Sequence, residues 1–211
     1  YPNGYGFFNR LFEKYPNINV IVEDLGDLRE EVLKLRDDFD LAGMRNEQFT
    51  IFDDELNGKR VEKFNQLYCS GTHDNQTIVE WSENLKSSTK LELNHKFREL
   101  NLNGRSFVER VIFYALSRYE RLIIIPMTDL LELGREHRMN IPGEVNENNW
   151  RFKLTEFESV DASFKKYFDV CPFALAKYNE DSNIIIHYYR DDNDYKSFIN
   201  GNSTLLGKVV H

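Results

Sequence analysis

Glu23 and Asp74 are two carboxylates that each follow an apolar run of strand length. Residues 18–22, "INVIV", stop at Glu23, and residues 66–70, "QLYCS", lead into "GTHDN", which contains Asp74. Two acids at neighbouring strand ends could cooperate on a bond that needs a proton on one side and charge stabilisation on the other. A glycosidic bond is such a case: the departing oxygen takes a proton while an oxocarbenium-like centre builds positive charge. In that reading Glu23 donates the proton, which requires burial and a nearby negative charge to keep it protonated. Asp74 stays ionised and holds the sugar. His73 donates to a hydroxyl of the same ring, and Asp24 and Asn75 count as further substrate contacts.

Each of these residues also has a plainer reading. Acids after strands commonly cap the following helix, and spacing alone favours that role for both Glu23 and Asp74. His73 could equally be a hydrogen-bonding residue of a barrel mouth. Glu23, Asp24, His73 and Asp74 form a mixed N/O set of the kind that suits zinc or manganese. Catalytic zinc usually takes two or three histidines, however, so a single histidine is thin support for a metal. Trp81, Trp150 and the tyrosines could stack on sugar rings, although each is more commonly a core residue. Asn140 lies in "MNIPGE", where the Pro-Gly pair stops a helix and an asparagine serves a turn.

The elements that must carry these residues alternate. "INVIV" predicts a strand, and "DLREEVLKLRD" a helix, with Leu28, Val32 and Leu35 on one face and Asp27 with Glu30 as its capping pair. A weaker strand is expected over 44–52, "MRNEQFTIF", and another over 66–70. "NQTIVEWSENL" predicts a short helix, followed by helices over 89–100 and 105–119. In the last of these Phe107, Val108, Val111, Ile112, Ala115 and Leu116 make a broad apolar face. Residues 122–126, "LIIIP", predict a fully apolar strand that Pro126 ends.

Such alternation implies right-handed crossovers and a parallel sheet. Glu23 and Asp74 are two such units apart, as in a (β/α)8 barrel that spends ~31 residues per unit and keeps its chemistry at the C-terminal strand ends. About four strands up to Pro126 are half of what closure needs. An open half-barrel would leave a strand edge and a core face in water. The remaining strands are therefore expected upstream in a longer protein, or from a second chain. Beyond Trp150, "TEFESVDASFKKYF" predicts a helix and "NIIIHYY" a strand.

Composition narrows the classes. The 211 residues allow one or two domains, are 41% hydrophobic and 29% charged, and hold no apolar stretch near the ~20 residues of a membrane span. A net charge of -8, with acids and bases interleaved, offers no basic stripe to nucleic acid. Cys69 and Cys171 are too few and too far apart for a disulfide framework, which fits a reducing cytoplasm.

Taken in order, "VEDLGDL", "GTHDN" and "RMNIPGEVNENNWRFKL" resemble the C-terminal half of the 4-α-glucanotransferases called amylomaltases or disproportionating enzymes. The resemblance runs from about Gly6 to about Leu154. It implies an α/β fold, the C-terminal half of a (β/α)8 TIM barrel over 1–158, with 159–211 as a helix-and-strand extension of unknown role. The activity it implies is transfer of α-1,4-glucan segments between maltodextrins by a retaining double displacement, with a maltooligosaccharide as substrate and no metal or organic cofactor in the chemistry. On the same basis Glu23 matches the general acid/base, Asp74 the transition-state stabiliser, and His73 the histidine on the glucose at the cleavage point. Asn140 and Trp150 fall near the acceptor side.

The sequence also departs from that family. The family's nucleophile is an aspartate in an Arg-x-Asp-His motif one strand before "EDLG", and these residues contain no such motif. Retention needs a nucleophile about 5 Å from the acid/base. The chain alone is expected to be incomplete and inactive, with the missing N-terminal half as its partner. Residues 43–64 also depart from the family's proline-containing stretch. The rival expectations are a non-catalytic glucan-binding or regulatory half-barrel completed by self-association, and a metal-dependent barrel hydrolase.

Overall fold

Gln66–Cys69 is buried along its whole length, as an apolar strand in the middle of a sheet must be. In the computed structural model, which describes residues 4–26, 28–57, 65–102, 104–118, 120–155, 158–168, 174–178 and 184–188, this strand is β2. It runs parallel to β1 (Gly43–Asn46), with Met44 opposite Leu67, and to β3 (Leu122–Ile124), with Cys69 opposite Ile124. A parallel bridge, Ile21 to Ala42, adds residues 18–22 on the other side of β1; Val22 N–H donates to the Ala42 carbonyl (2.8 Å). Four parallel segments thus follow one another in chain order with helices between them, an α/β architecture. The strand expected over 18–22 is reduced to this single bridge, and among the described residues its outer side pairs with no strand.

Among the described residues the helices are α1 (Gly4–Lys14), α2 (Glu30–Asp38), α3 (Glu47–Ile51), α4 (Ile78–Asn84), α5 (Ser87–Glu99), α6 (Phe107–Leu116), α7 (Met127–Leu130) and α8 (Glu158–Phe168). A π-helical turn, Phe52–Leu56, extends α3, and a hairpin of β4 (Ala174–Tyr178) and β5 (Ile184–Tyr188) follows α8. The strand expected over 44–52 ends at Asn46. There the Asn46 side chain accepts from Gln48 N–H (3.1 Å), the N-cap that turns the chain into α3. Helix α2 starts after Arg29, whose side chain makes no capping bond. Asp27, half of the expected capping pair, lies outside the described residues, as do Tyr119, Cys171, Asn183 and Tyr189. The strand at 122–126 stops at Ile124, which is 44% exposed, so it is not buried on both faces.

Helix α6 opens with a reciprocal box: Ser106 Oγ accepts from Glu109 N–H (3.0 Å) and Glu109 accepts from Ser106 N–H (3.2 Å). It buries Phe113 and Tyr114 besides the expected Val111, Ile112, Ala115 and Leu116, because it is covered from more than one side. One cover is α8, where Tyr167 meets Phe113 edge-on (5.5 Å) and Lys166 pairs with Glu109 (2.6 Å).

Alternation divides the sheet chemically. Arg45, Tyr68 and Ile123 share one register row and face the helices; Tyr68 packs on Tyr114 (6.5 Å), and the Arg118 guanidinium lies 5.0 Å over the Tyr68 ring. Met44, Leu67, Cys69 and Ile124 point the other way and floor a cleft. Among the described residues no helix is long and apolar enough to cross a membrane.

Candidate functional site

The turn after β2 is fixed by its own polar groups. Ser70 Oγ donates to Asp129 (2.6 Å), and Gly71 has no room for a side chain, since a Cβ there would meet the Gln48 amide at 2.9 Å. That amide donates to the Gln76 carbonyl (2.7 Å). Asn75 Oδ1 gathers three donors: Thr72 N–H (2.8 Å), Thr72 Oγ1 (2.6 Å) and, from the end of β1, Asn46 Nδ2 (2.5 Å). With the turn closed in this way, the side chains of His73 and Asp74 project outward, each about half exposed (48%).

A second loop meets them. Asn140 Nδ2 donates to Asp74 Oδ1 (2.6 Å), and Arg138 donates to the carbonyls of Asp74 (2.8 Å) and Asn140 (3.0 Å). The same loop doubles back so that Trp150 N–H donates to the Met139 carbonyl (2.7 Å). Asn146 and Asn149 staple it from inside. Trp150 is held at φ +63°, a backbone region unusual for a bulky residue, and its ring lies 5.2 Å from the His73 ring while remaining 61% exposed. Trp81 is a core residue, as its plainer reading has it.

Glu23, His73, Asn75 and Arg138 line one cleft of about 440 Å³ floored by Met44, Leu67 and Cys69. Asp74 and Asn140 are not among the residues that line it; Asp74 lies in the chain between the lining residues His73 and Asn75, with its carboxylate tied to Asn140. Asp24 is turned away: it accepts from Met44 N–H (2.6 Å) and Arg36 (2.5 Å), packed against Gly43, where a Cβ would collide with it. Asp24 therefore fixes the strand end that carries Glu23. Neither Glu23 nor Asp74 caps the helix that follows it, which corrects their plainer reading: Thr77 caps α4 by accepting from Glu80 N–H (3.2 Å), and α2 starts after Arg29 with no side-chain cap. No group of three His, Cys, Asp or Glu side chains among the described residues is arranged to hold a metal ion. Burial pushes the Cys69 thiol up to about 12, with Glu47, Asp129 and Glu23 adding to it, so Cys69 is a neutral floor residue.

Arg138, Asn46 and Asp129 do not stand out in the sequence as site residues. Arg138 lies within the quoted "RMNIPG" motif; Asn46 and Asp129 carry no local signal, because only the sheet brings them beside the turn. Asp129 is 1% exposed, and burial pushes its carboxyl up to about 6, although Ser70 and Ile78 N–H (2.8 Å) pull it back. An unfolded aspartate titrates near ~3.9. Between about pH 4 and 6 this site therefore holds more proton in the folded protein than in the unfolded one, and its contribution to stability falls as pH rises. The contribution is complete below about pH 4 and gone above about 6, roughly 3 kcal/mol at ~1.4 kcal/mol per unit. Asp129→Asn can keep both hydrogen bonds, because the amide accepts from Ile78 and donates to Ser70. It should flatten this part of the Tm-versus-pH curve, and an unchanged slope would exclude Asp129 as its source.

The family described as 4-alpha-glucanotransferase matches residues 2–159. The chain is 34% identical over 172 residues to the chloroplastic/amyloplastic 4-alpha-glucanotransferase of Solanum tuberosum, covering 79% of this chain and 29% of that protein. It is 34% identical over 165 residues to the 4-alpha-glucanotransferase of Aquifex aeolicus, covering 77% and 33%. Its structure is similar to an amylomaltase from Streptococcus agalactiae in complex with acarbose, with a TM-score of 0.67 and 27% identity over 78% of this chain and 34% of that one. The chain spans about a third of the length of these relatives.

Proposed function

The chain belongs to the 4-alpha-glucanotransferase family, and from that premise we propose that its cleft is part of an active site that transfers α-1,4-glucan segments between maltodextrins by a retaining double displacement. Residues 1–158 are read as the C-terminal half of a (β/α)8 barrel, supported by parallel segments in chain order and a family match that ends at residue 159. Residues 159–211 form an extension, which begins by packing α8 on α6.

One arrangement carries the functional reading: Glu23, His73 and Asn75 line a single cleft, and Asp74 stands between the last two in the chain, its carboxylate held by Asn140. Glu23 gives a proton to the departing glycosidic oxygen, then takes one from the acceptor hydroxyl as the glycosyl-enzyme is resolved. Asp74 stays ionised beside the ring and opposes the positive charge of the transition state. His73 donates to a sugar hydroxyl, Asn75 offers its amide, and Trp150 gives an apolar face for an adjacent glucose. Asn140 holds Asp74, and Asp24 holds the strand end. The nucleophile comes from the other half of the barrel, outside these 211 residues. The buried free thiol of Cys69 suits a reducing compartment, and we assign the cytoplasm.

The intact protein should convert maltotriose into glucose and longer maltodextrins with no rise in total reducing ends, since transfer conserves the number of glycosidic bonds. Maltotriose that binds and stays unchanged would instead favour the non-catalytic reading, and a rise in reducing ends would indicate hydrolysis. Asp74→Asn should lower kcat by roughly 10²–10³-fold with little change in KM, because its charge is needed mainly in the transition state. A rise confined to KM would remove Asp74 from that role.

A further inference from the structure

Arg138 is 15% exposed, and its three nitrogens reach three different pieces of chain. Nη2 donates to the Asp74 carbonyl (2.8 Å), Nε donates to the Asn140 carbonyl (3.0 Å), and Nη1 lies 3.9 Å from Glu80 Oε2. Asp74 and Asn140 are themselves joined, side chain to side chain, at 2.6 Å. The guanidinium thus closes a ring: it fixes the two backbone segments whose side chains form the Asn140–Asp74 bond.

Glu80 sits on α4, three residues past Thr77, and its side chain is only 6% exposed. Its Oε2 has no hydrogen-bond partner, and Arg135, 75% exposed, reaches Oε1 at 3.6 Å. A buried carboxylate without a close hydrogen bond is costly unless a charge compensates it. Here the compensation is shared by exposed Arg135 and by the same guanidinium that ties the two loops, which faces the unpartnered Oε2, so α4 backs the clamp.

We propose that Arg138, backed by Glu80, is a positioning residue for Asp74, setting the height and direction of that carboxylate over the cleft. The proposal rests on the reading of Asp74 as the transition-state stabiliser. A lysine can supply the charge but not two donors in fixed, diverging directions. The two carbonyls therefore need arginine itself, and charge alone does not suffice.

The test uses the intact protein with maltotriose. Arg138→Met should lower kcat by roughly tenfold to a hundredfold, as a small misplacement of a catalytic group does, with KM within about threefold by the same principle. Arg138→Lys should recover less than half of that loss, whereas Glu80→Gln, which keeps Arg138 but removes its anchor, should give a milder fall in kcat. The double variant Arg138→Met/Asp74→Asn should be no slower than Asp74→Asn alone, because both act through one group. Multiplicative losses, full rescue by lysine, or a fall in kcat that simply tracks Tm would each overturn the proposal. If Asp74→Asn itself leaves kcat unchanged, the functional reading fails first. If Asp74→Asn is slow and Arg138→Met is not, only the positioning role fails.

Discussion

Glu23→Gln in the intact protein is expected to lower glucan transfer by roughly 10²–10⁴-fold, the usual share of a general acid, while maltotriose binding changes little. The reason lies in what the carboxylate touches. Two acids line the cleft, Glu23 and Asp129. Both oxygens of Asp129 are committed, to Ser70 and to Ile78 N–H. Glu23 is exposed among the described residues, against the burial expected for its acid role, and makes no hydrogen bond or ion pair there, so its carboxylate is available to a ligand. Glutamine keeps the size and the polar contacts but cannot deliver a proton. A maltosyl fluoride separates the two functions, because fluoride leaves with little protonation. The first fluoride released by Glu23→Gln, read as a pre-steady-state burst, should recover with that substrate while later turnovers stay slow for want of the base. A burst phase slowed as much as maltotriose cleavage would make Glu23 a binding residue instead.

The parts of this site that stand out in sequence are those that end an apolar run. Glu23, His73 and Asn75 are conspicuous because polar side chains follow "INVIV" and "QLYCS" directly, and the sheet delivers all three to one cleft. What spacing does not reveal is which oxygen each group spends on holding the chain together. Asp24 looks as available as Glu23, yet it is consumed by Arg36 and the backbone of β1. Asn140 looks like a turn residue and instead holds Asp74 from 66 positions away. Long-range pairings of this kind depend on loop closure across the sheet, and no local pattern encodes them.

The same limit explains the errors in the elements. "NEQFTIF" is rich in β-branched and aromatic residues and reads as strand by propensity. Asn46 nevertheless caps a helix there, and burial of Ile51 in the core outweighs the local preference. Helix α6, by contrast, is readable from its apolar face, although it is shorter at both ends than the expected 105–119 and the burial of Phe113 and Tyr114 comes from packing that no periodicity shows.

Behind the cleft floor lies the group whose loss should unfold the protein most readily. Arg118 is 1% exposed; it donates to Tyr114 Oη (2.8 Å) and Glu120 (3.0 Å), and lies 3.4 Å from Asp54 Oδ2, an oxygen with no hydrogen bond of its own. Arg45 bridges the same two acids from the neighbouring strand, at 2.6 Å from Asp54 and 3.7 Å from Glu120. Arg118→Met keeps much of the volume and leaves two buried carboxylates to share one guanidinium. Breaking a buried pair in this way costs about 3–5 kcal/mol, a fall in Tm of roughly 6–20 °C for a chain of this size. Adding Glu120→Gln, which removes one of the uncompensated charges, should restore part of the loss. Lys34→Ala, on an exposed helix-surface pair, should leave Tm unchanged. A Tm for Arg118→Met within experimental error of the parent would mean that the acids are neutral rather than paired. Arg45 and Tyr68 lie in one register row of the sheet and face the helices, away from Cys69 on the cleft floor. Transfer activity of Arg118→Met should therefore disappear on heating in step with its lowered Tm, while its kcat well below that temperature stays near that of the parent.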